Sequence, residues 1–431
     1  MRRLLLSLAL APLIAPGVAW ADTLEDALHA AHRSNPNLEE ARLAVSAARQ
    51  ERVQARAAYL PTLGLSSTYG LQEVENDTIG IFGPSTTTAE LEPSSATAQL
   101  TQQLFTGFRR SGQTRLASAN LDGAREGLRS REQDILLAAV DAYLSVLRDR
   151  EIVRLRQEHV DGLRRLLTGT QRRLDVGEVS RTDVAQAQTR LAGARAALAS
   201  SRGDLDLSEA RYAAIVGEAP GTLAPVAALP QTPHSLDEAV RVAETSHPDL
   251  GQARSAENAA RAQVTIERSA LLPQLSVVGR ADESRELSAT ELRRESSSAV
   301  AQFSMPLFEG GYAWSRTRQS RINVQRAQAR TEARRRDVIA EVRGAWSNLA
   351  ASREVLEAAN EQVEASAVAV EGAERERGLG MRSTLDVLDA QEEARNALIG
   401  RARANASAVF AAYALMAASG ALTIESATAP N

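Results

Sequence analysis

The sequence predicts a mainly α-helical protein with membrane β-strands, in which long coiled-coil hairpins and a strand pair each occur twice. Three observations lead to this fold class: the order of Pro and Gly residues repeats along the chain, two very long stretches lack Pro, and four short segments alternate apolar and polar residues. The composition agrees, because the 431 residues are 44% hydrophobic but only 3% aromatic. Long helices packed through Ala and Leu need few aromatic side chains, whereas several compact cores need more.

The first 21 residues have the three parts of a secretory signal. Arg2 and Arg3 supply positive charge, residues 4–14 are apolar, and Ala19 and Ala21 form a small-x-small cleavage site. The apolar stretch is too short to span a bilayer, which disfavours the alternative of a retained membrane anchor. The absence of Cys excludes a disulfide framework, a thiolate metal site and a lipid-carrying Cys at the cleavage point. We therefore expect an exported chain that begins near Asp22.

The remaining chain is an internal duplication. The matching pieces are Asn35-Pro36 with His247-Pro248, Leu60-Pro61 with Leu272-Pro273, and Leu104-Phe105-Thr106-Gly107 with Leu307-Phe308-Glu309-Gly310. The first two pairs are displaced by 212 positions and the third by 203, so an insertion must lie between Pro61 and Leu104. Chance similarity between Ala-rich helices is the alternative, and the fixed offsets of Pro and Gly disfavour it.

Two repeats therefore define the expected domain organisation. The parts are a signal peptide at 1–21, repeat 1 at 22–216, a Pro-rich linker at 217–235, repeat 2 at 236–423 and a tail at 424–431. Repeat 1 has a strand pair at about 61–105 and a long helical hairpin at about 110–216. Repeat 2 has a strand pair at about 273–308 and a long helical hairpin at about 312–420. The uncharged segment 404–424 corresponds to the highly charged segment 201–221 of repeat 1. This correspondence disfavours a transmembrane helix at 404–424.

Each repeat contains a Pro-free stretch that predicts a very long helix, at about 110–176 and 312–379. Apolar residues stand seven apart in both: Val146, Val153, Val160 and Leu167 in the first, and Leu349, Leu356, Val363 and Val370 in the second. A seven-residue repeat keeps its apolar seam against a partner if the helices supercoil. A helix of 67 residues is about 100 Å long, which favours a protein that bridges a wide gap. Gly177 and Gly380 follow these stretches and predict the two hairpin turns.

The strand pairs alternate cleanly between apolar and polar residues. In the first strand, for example, Leu63, Leu65 and Tyr69 alternate with Gly64 and Ser66. About ten such residues suit a tilted membrane strand, although a soluble sheet packed on a core alternates in the same way. The joining segments, about 72–95 and 282–296, are polar and are expected to be exposed loops. Four strands cannot form a closed barrel, and lipid does not tolerate open strand edges, so several chains must contribute strands to one barrel. Two chains give eight strands, and three chains give twelve, which can leave a lumen.

These features resemble the TolC-type outer-membrane efflux and secretion channels over nearly the whole mature chain. The resemblance is carried by the doubled Leu-Pro and Leu-Phe-x-Gly motifs and by the segment from Gly380 to Ala390. It implies a homotrimer with a twelve-stranded outer-membrane β-barrel continued by a periplasmic α-helical tunnel. The implied function is the exit duct of a tripartite efflux pump or type I secretion system. Its implied partners are a periplasmic adaptor (membrane fusion) protein, an inner-membrane transporter and outer-membrane lipid.

Asp386 and Asp389 are the candidate pore gate. They stand three residues apart and share a helical face, so threefold symmetry would stack two rings of carboxylates that attract cations. Close like charges should also raise some of their pKa values. The matching positions in repeat 1 are Asp183 and Gln186, so the pair belongs to repeat 2. The alternative is that both carboxylates only favour the electropositive start of a helix.

The resemblance also implies a gate latch, in which Arg382 binds Thr182 and Asp183 of the first hairpin. Arg377 occupies a position where the family often has an aromatic residue, so the lock must differ in this chain. A solvated surface role for Arg382 is the alternative. The turns at Gly177 and Gly380 are implied to dock the adaptor.

Other classes of function find little support. A net charge of −4 argues against nucleic-acid binding, and the five His residues show no metal-ligand spacing. No nucleophile elbow is present, so we expect no enzyme, cofactor or metal site. A periplasmic coiled-coil adaptor or scaffold without its own pore is the alternative function. The cargo, whether drug, metal ion or polypeptide, is not determined by the sequence.

Overall fold

The computed structural model describes residues 22–226, 230–288 and 291–428. The predicted signal peptide at 1–21 lies outside the described residues. The described elements are, in chain order, α1 (Leu24–Ser34), α2 (Pro36–Ala57), β1 (Thr62–Tyr69), β2 (Gln72–Gly80), β3 (Gly83–Leu91), β4 (Ser94–Thr106), α3 (Arg109–Asp175), α4 (Arg181–Val216), α5 (Leu236–Ser246), α6 (Pro248–Arg268), β5 (Gln274–Ser288), β6 (Glu291–Ser304), α7 (Tyr312–Gly378), α8 (Thr384–Ala418) and α9 (Ile424–Thr428). The duplicated mainly helical fold, with a strand pair and a long hairpin in each half, is confirmed.

The chain forms two compact units. One contains the described parts of Met1–Pro36, Glu132–Val240 and Val342–Asn431, and the other contains Asn37–Arg131 and Arg241–Glu341. In the first unit, the hydroxyl oxygen of the fully buried Tyr143 lies 2.9 Å from the carbonyl oxygen of Asp22 and 2.6 Å from that of Ala224, and its single O–H is shared between them. A single side chain thus fixes both the start of the described chain and the segment that joins the two repeats.

The long helices α3 and α7 have 67 residues each, but their apolar seams are covered to different extents. In α3, Val160 packs in a buried cluster with Leu163 and with residues of α4. In α7, only Leu349 of the four seam residues is buried, and Leu356, Val363 and Val370 are half-buried. Val355 and Val368, which lie outside the seam, are exposed. Contacts within the described chain therefore bury the apolar seam of α3 more fully than that of α7.

The second half of α8 is buried in the same unit. Its buried side chains include Ala404, Ala408, Val409, Ala412 and Leu415. Among the described residues, no helix combines the length and the apolar character that crossing a membrane requires.

The second unit holds a four-stranded antiparallel sheet with the order β1-β4-β5-β6. The strands of the two repeats meet where β4 pairs with β5, for example at Leu100 opposite Gly279. In this order, β1 and β6 are the edge strands, and each has one row of backbone groups without a partner strand in the described chain.

The predicted exposed loops, about 72–95 and 282–296, are largely strand, which corrects that expectation. The first forms the two-stranded hairpin β2–β3, and the second consists of the outer ends of β5 and β6. Both faces of these segments are mainly polar, so the regular apolar alternation that marks a half-buried strand is missing. Polar pairs across the strands stabilise them instead, as in the bond from Thr86 Oγ1 to Asp77 Oδ1 (2.6 Å) and the ion pair of Arg293 with Glu283 (3.3 Å). The hairpin β2–β3 lies where the duplication requires an insertion.

Candidate functional site

One face of the four-stranded sheet is apolar and uncovered by the described chain. The strand register places Leu63 opposite Leu100 and Leu275 opposite Phe303, so the predicted apolar positions of the four strands fall on the same face. Leu65 is 80% exposed and Phe303 is 67% exposed. A soluble sheet packed on its own core would bury these side chains, so that alternative does not describe this sheet.

The opposite face of the sheet is polar and internally hydrogen-bonded. Asp282 accepts from Thr97 Oγ1 (2.7 Å) on β4 and from Arg280 Nε (2.6 Å) on its own strand. The positions of β1 on this face are Thr62, Gly64, Ser66 and Thr68. The sheet is thus two-sided, with one face suited to lipid and the other to water.

Both long helices end in the same type of turn. Gly177 and Gly380 have positive φ angles of 79° and 76°, in the left-handed region where Gly carries no steric cost. The amide of Glu178 donates to the carbonyl of Arg173 (2.8 Å), and the second hairpin repeats this bond from Met381 to Glu376 (2.9 Å). These bonds satisfy carbonyls at the helix end and reverse the chain direction.

The gate candidate Asp386 closes a capping box at the start of α8. Its Oδ2 accepts from the amide (3.0 Å) and the hydroxyl (2.9 Å) of Ser383. These hydrogen bonds lower the pKa of the Asp386 carboxyl, whereas like charges in a ring would raise it. The helix-start role considered for Asp386 is therefore real in the chain, and its role in a pore stays a prediction.

The second gate candidate, Asp389, is paired with a residue that the sequence did not single out. Arg190 of α4 donates to Asp389 (2.8 Å) and lies 3.7 Å from Glu392, so it links the two hairpins. Nothing in the sequence marked this arginine, because its counterpart in repeat 2 is Glu393 and its partner is 199 residues away. The link appears only when α4 and α8 lie side by side.

The latch candidate Arg382 pairs with Glu376 (2.6 Å) rather than with Thr182 or Asp183. The turn at Gly380 brings the two partners together, which explains this preference. Asp183 is occupied by its own capping box, where it accepts from the amide of Ser180 (2.8 Å), and these bonds to Ser180 lower its pKa. The latch to the first hairpin therefore stays a prediction for the assembled protein.

Residues of α3, α4 and α8 line a cavity of about 390 Å³, and these three helices together with α7 line a larger cavity of about 680 Å³. Four arginines line this larger cavity: Arg165, Arg190, Arg377 and Arg395. His159 lies there in contact with Arg395, and burial followed by the nearby arginines lowers its pKa to about 4. Among the described residues, no three His, Cys, Asp or Glu side chains are grouped so as to hold a metal ion.

The sequence and the fold can be compared with those of known proteins. Segments 27–218 and 239–421 each match the family model described as outer membrane efflux protein. The outer membrane efflux protein BepC of Brucella suis is 31% identical over 94% of this chain and 87% of its own length. The outer membrane protein TolC of Salmonella enteritidis is 28% identical over 86% and 77%. The crystal structure of the Campylobacter jejuni CmeC outer membrane channel superposes with a TM-score of 0.82 at 14% identity, covering 92% of this chain and 85% of that one.

Proposed function

Because the chain belongs to the outer membrane efflux protein family, we propose that it is the outer-membrane exit duct of a tripartite efflux pump or type I secretion system. Substrates would pass from an inner-membrane transporter and its periplasmic adaptor through this duct to the outside, without catalysis by the chain. The observation that carries the proposal is the uncovered apolar face of the sheet, on which Leu65 and Phe303 are exposed. That face needs lipid, and the polar face needs water.

The duct is a homotrimer in this proposal. The edge strands β1 and β6 leave backbone groups unpaired, and lipid does not tolerate such edges. If β6 of each chain pairs with β1 of the next, three chains close a twelve-stranded barrel with the polar face toward the lumen. Eight strands from two chains would leave an interior filled by side chains.

The helical hairpins form the periplasmic tunnel in this proposal. The exposed Val355 and Val368 on α7 provide apolar contacts for helices of the neighbouring chain. At the turns, Val176, Leu379 and Met381 expose apolar side chains beside Gly177 and Gly380. These tips are suited to bind an adaptor protein, because exposed apolar groups flanked by polar ones mark interaction sites.

A pair of substitutions on β1 tests the proposal. Leu65→Arg places a charge on the lipid-facing side of the sheet, at a cost of about 2–4 kcal/mol near the bilayer centre in each chain. Ser66→Arg is the matched control, because it places the same charge on the polar face. We expect the natural chain and Ser66→Arg to form channels in planar bilayers and Leu65→Arg to lose most membrane insertion.

Conductance of Leu65→Arg equal to that of the natural chain would contradict this assignment of the sheet faces. Extraction of the natural chain as a water-soluble monomer without detergent would favour the periplasmic scaffold instead.

We assign the gate to Asp386 and Asp389 and expect Asp386 to contribute more to cation selectivity. Arg190 forms a direct ion pair with Asp389, whereas Asp386 hydrogen-bonds to uncharged groups of Ser383 and Arg382 is only the weakest electrostatic influence on it. We expect Asp386→Asn to reduce cation selectivity more than Asp389→Asn, and Arg190→Ala to increase it, as measured by reversal potentials in a salt gradient. Equal cation selectivity in the natural chain and the three variants would show that neither carboxylate forms the gate.

A further inference from the structure

The junction between β6 and α7 exposes a group of large apolar and aromatic side chains. Phe308 is 88% exposed and Trp314 is 71% exposed, and Leu307 and Tyr312 of the same junction are also exposed. The junction directly continues the strand that carries Phe303 on the apolar face of the sheet. Side chains of this type concentrate where a membrane meets water, since Trp and Tyr combine an apolar ring with a polar group.

Two arginines without a described partner follow Trp314 on the same helix. Arg318 and Arg321 are four and seven residues beyond Trp314, so the three side chains share one face of α7. Both arginines are exposed, and no hydrogen bond or ion pair joins either of them to another described residue. Arg316, by contrast, is neutralised by Glu267 (2.8 Å). The stripe from Trp314 to Arg321 therefore carries two uncompensated positive charges.

The direction of the side chains brings these charges toward the sheet. Arg318 lies about 6 Å and Arg321 about 10 Å beyond Trp314 along the helix axis. Helical side chains lean toward the N-terminus, which in α7 is the end attached to β6. Long arginine side chains can also extend along apolar surface while the charged group stays in water. The Arg318 guanidinium can thus reach the level of the Trp314 ring, and the Arg321 guanidinium comes within about one helical turn of it.

The first repeat does not have this stripe. The displacement of 203 residues places Ser111, Arg115 and Ser118 at the corresponding positions. Arg115 donates to Ser111 Oγ (3.1 Å). The buried Arg110 donates to the carbonyl oxygen of Leu104 (3.1 Å), so this junction uses its arginines within its own chain. The combination of an exposed Trp and two unpaired arginines belongs to repeat 2 alone.

We propose that Trp314, Arg318 and Arg321 bind the phosphate headgroup of an anionic phospholipid in the periplasmic leaflet of the outer membrane. The inference rests on the proposed function, which places the apolar face of the sheet in that membrane. Guanidinium groups pair with phosphate through two parallel hydrogen bonds, and anionic lipid surfaces attract arginines close to them. Phosphatidylglycerol has the required charge, and phosphatidylcholine, which has no net charge, is the matched comparison.

Quenching of Trp314 fluorescence by brominated lipids tests the site. The sequence has three Trp residues, of which Trp20 lies in the predicted signal peptide, so Trp346→Phe leaves Trp314 as the reporter in the processed chain. The purified protein is reconstituted in phosphatidylcholine bilayers that contain increasing fractions of brominated phosphatidylglycerol or brominated phosphatidylcholine. We expect a preference for phosphatidylglycerol on the order of tenfold, which follows from two arginines near an anionic headgroup.

In the double variant Arg318→Gln/Arg321→Gln, both brominated lipids should quench Trp314 fluorescence equally. Arg115→Gln, the matched control in repeat 1, should keep the preference for phosphatidylglycerol. Equal quenching by both lipids when Arg318 and Arg321 are present would overturn the proposal. Absence of quenching by either lipid would also overturn it, because Trp314 would then face another chain or the lumen. Channel conductance is measured on the same samples. Normal conductance without a headgroup preference refutes only the lipid site, whereas failure to insert and conduct refutes the proposed function.

Discussion

His159 shows how strongly the helical hairpins can perturb a single side chain. It is half-buried on α3 and contacts Arg395 of α8, and Arg156 and Arg190 are the other cations that act on it. Loss of hydration on burial is the largest cause of its lowered pKa, and repulsion by the cations adds to it. The folded protein therefore holds His159 neutral at a pH where an exposed histidine is partly protonated.

This lowered pKa predicts an acid-sensitive stability. Well above pH 6.5 the side chain is neutral in both the folded and the unfolded state, so its burial costs no protonation energy. As the pH falls from about 6.5 to about 4, the unfolded state binds the proton first, and the free energy of unfolding decreases. We expect His159→Gln to lose less thermal stability than the natural protein over this range, as measured by the melting temperature of the detergent-solubilised protein.

His247, whose pKa burial also lowers, remains in both proteins and provides a shared background. Identical pH profiles of the two proteins would show that His159 is protonated equally in the folded and unfolded states.

At the scale of elements, the two hairpin turns use one design twice. Each has a left-handed glycine followed by a capping box, in which Ser180 pairs with Asp183 and Ser383 with Asp386. The sequence was sufficient to locate both turns, because Gly, Ser and Asp act through local backbone bonds. It was not sufficient to find the link from Arg190 to Asp389, since that link depends on packing between helices that are far apart in the sequence.

The latch is tested by substituting Arg382 and, separately, each of its two acidic candidate partners. If Arg382 holds the assembled gate closed through Asp183, both Arg382→Ala and Asp183→Asn should raise single-channel conductance in planar bilayers. Asn is chosen because its side-chain oxygen can still accept the hydrogen bond from the Ser180 amide, which Ala would remove. Glu376→Ala, which removes the partner seen within the chain, should leave the conductance unchanged.

If Glu376→Ala instead reproduces the effect of Arg382→Ala and Asp183→Asn has none, the arginine acts within its own turn and the latch assignment fails. Unchanged conductance in all three variants would leave Arg382 as a solvated surface residue.

At the scale of the whole molecule, the chain leaves surfaces that its own residues do not cover. These are the apolar face of the sheet, the edges of β1 and β6, and the exposed valines of α7. Each surface has a different requirement, namely lipid, another strand and another helix. A closed ring of identical chains satisfies the last two at once, because every chain then provides the edge and the helix that its neighbour lacks.

The proposed trimer is argued from strand number and can be tested directly. We expect native mass spectrometry of the detergent-solubilised protein to give a mass of three chains. Twelve strands leave a lumen, whereas the eight strands of a dimer would be filled by side chains. A mass of one or two chains would exclude the twelve-stranded barrel.

The sequence by itself determined the features that depend on local chemistry and periodicity: the duplication, the lengths of α3 and α7, the capped turns, and the alternating faces of the inner strands. Only the tertiary structure decided which distant groups meet. It paired strands within the polar segments 72–95 and 282–296, placed Arg190 beside Asp389, and left Trp314, Arg318 and Arg321 uncovered on one helix face. The physical reason is that backbone preferences act over a few residues, whereas ion pairs and burial depend on which elements lie side by side.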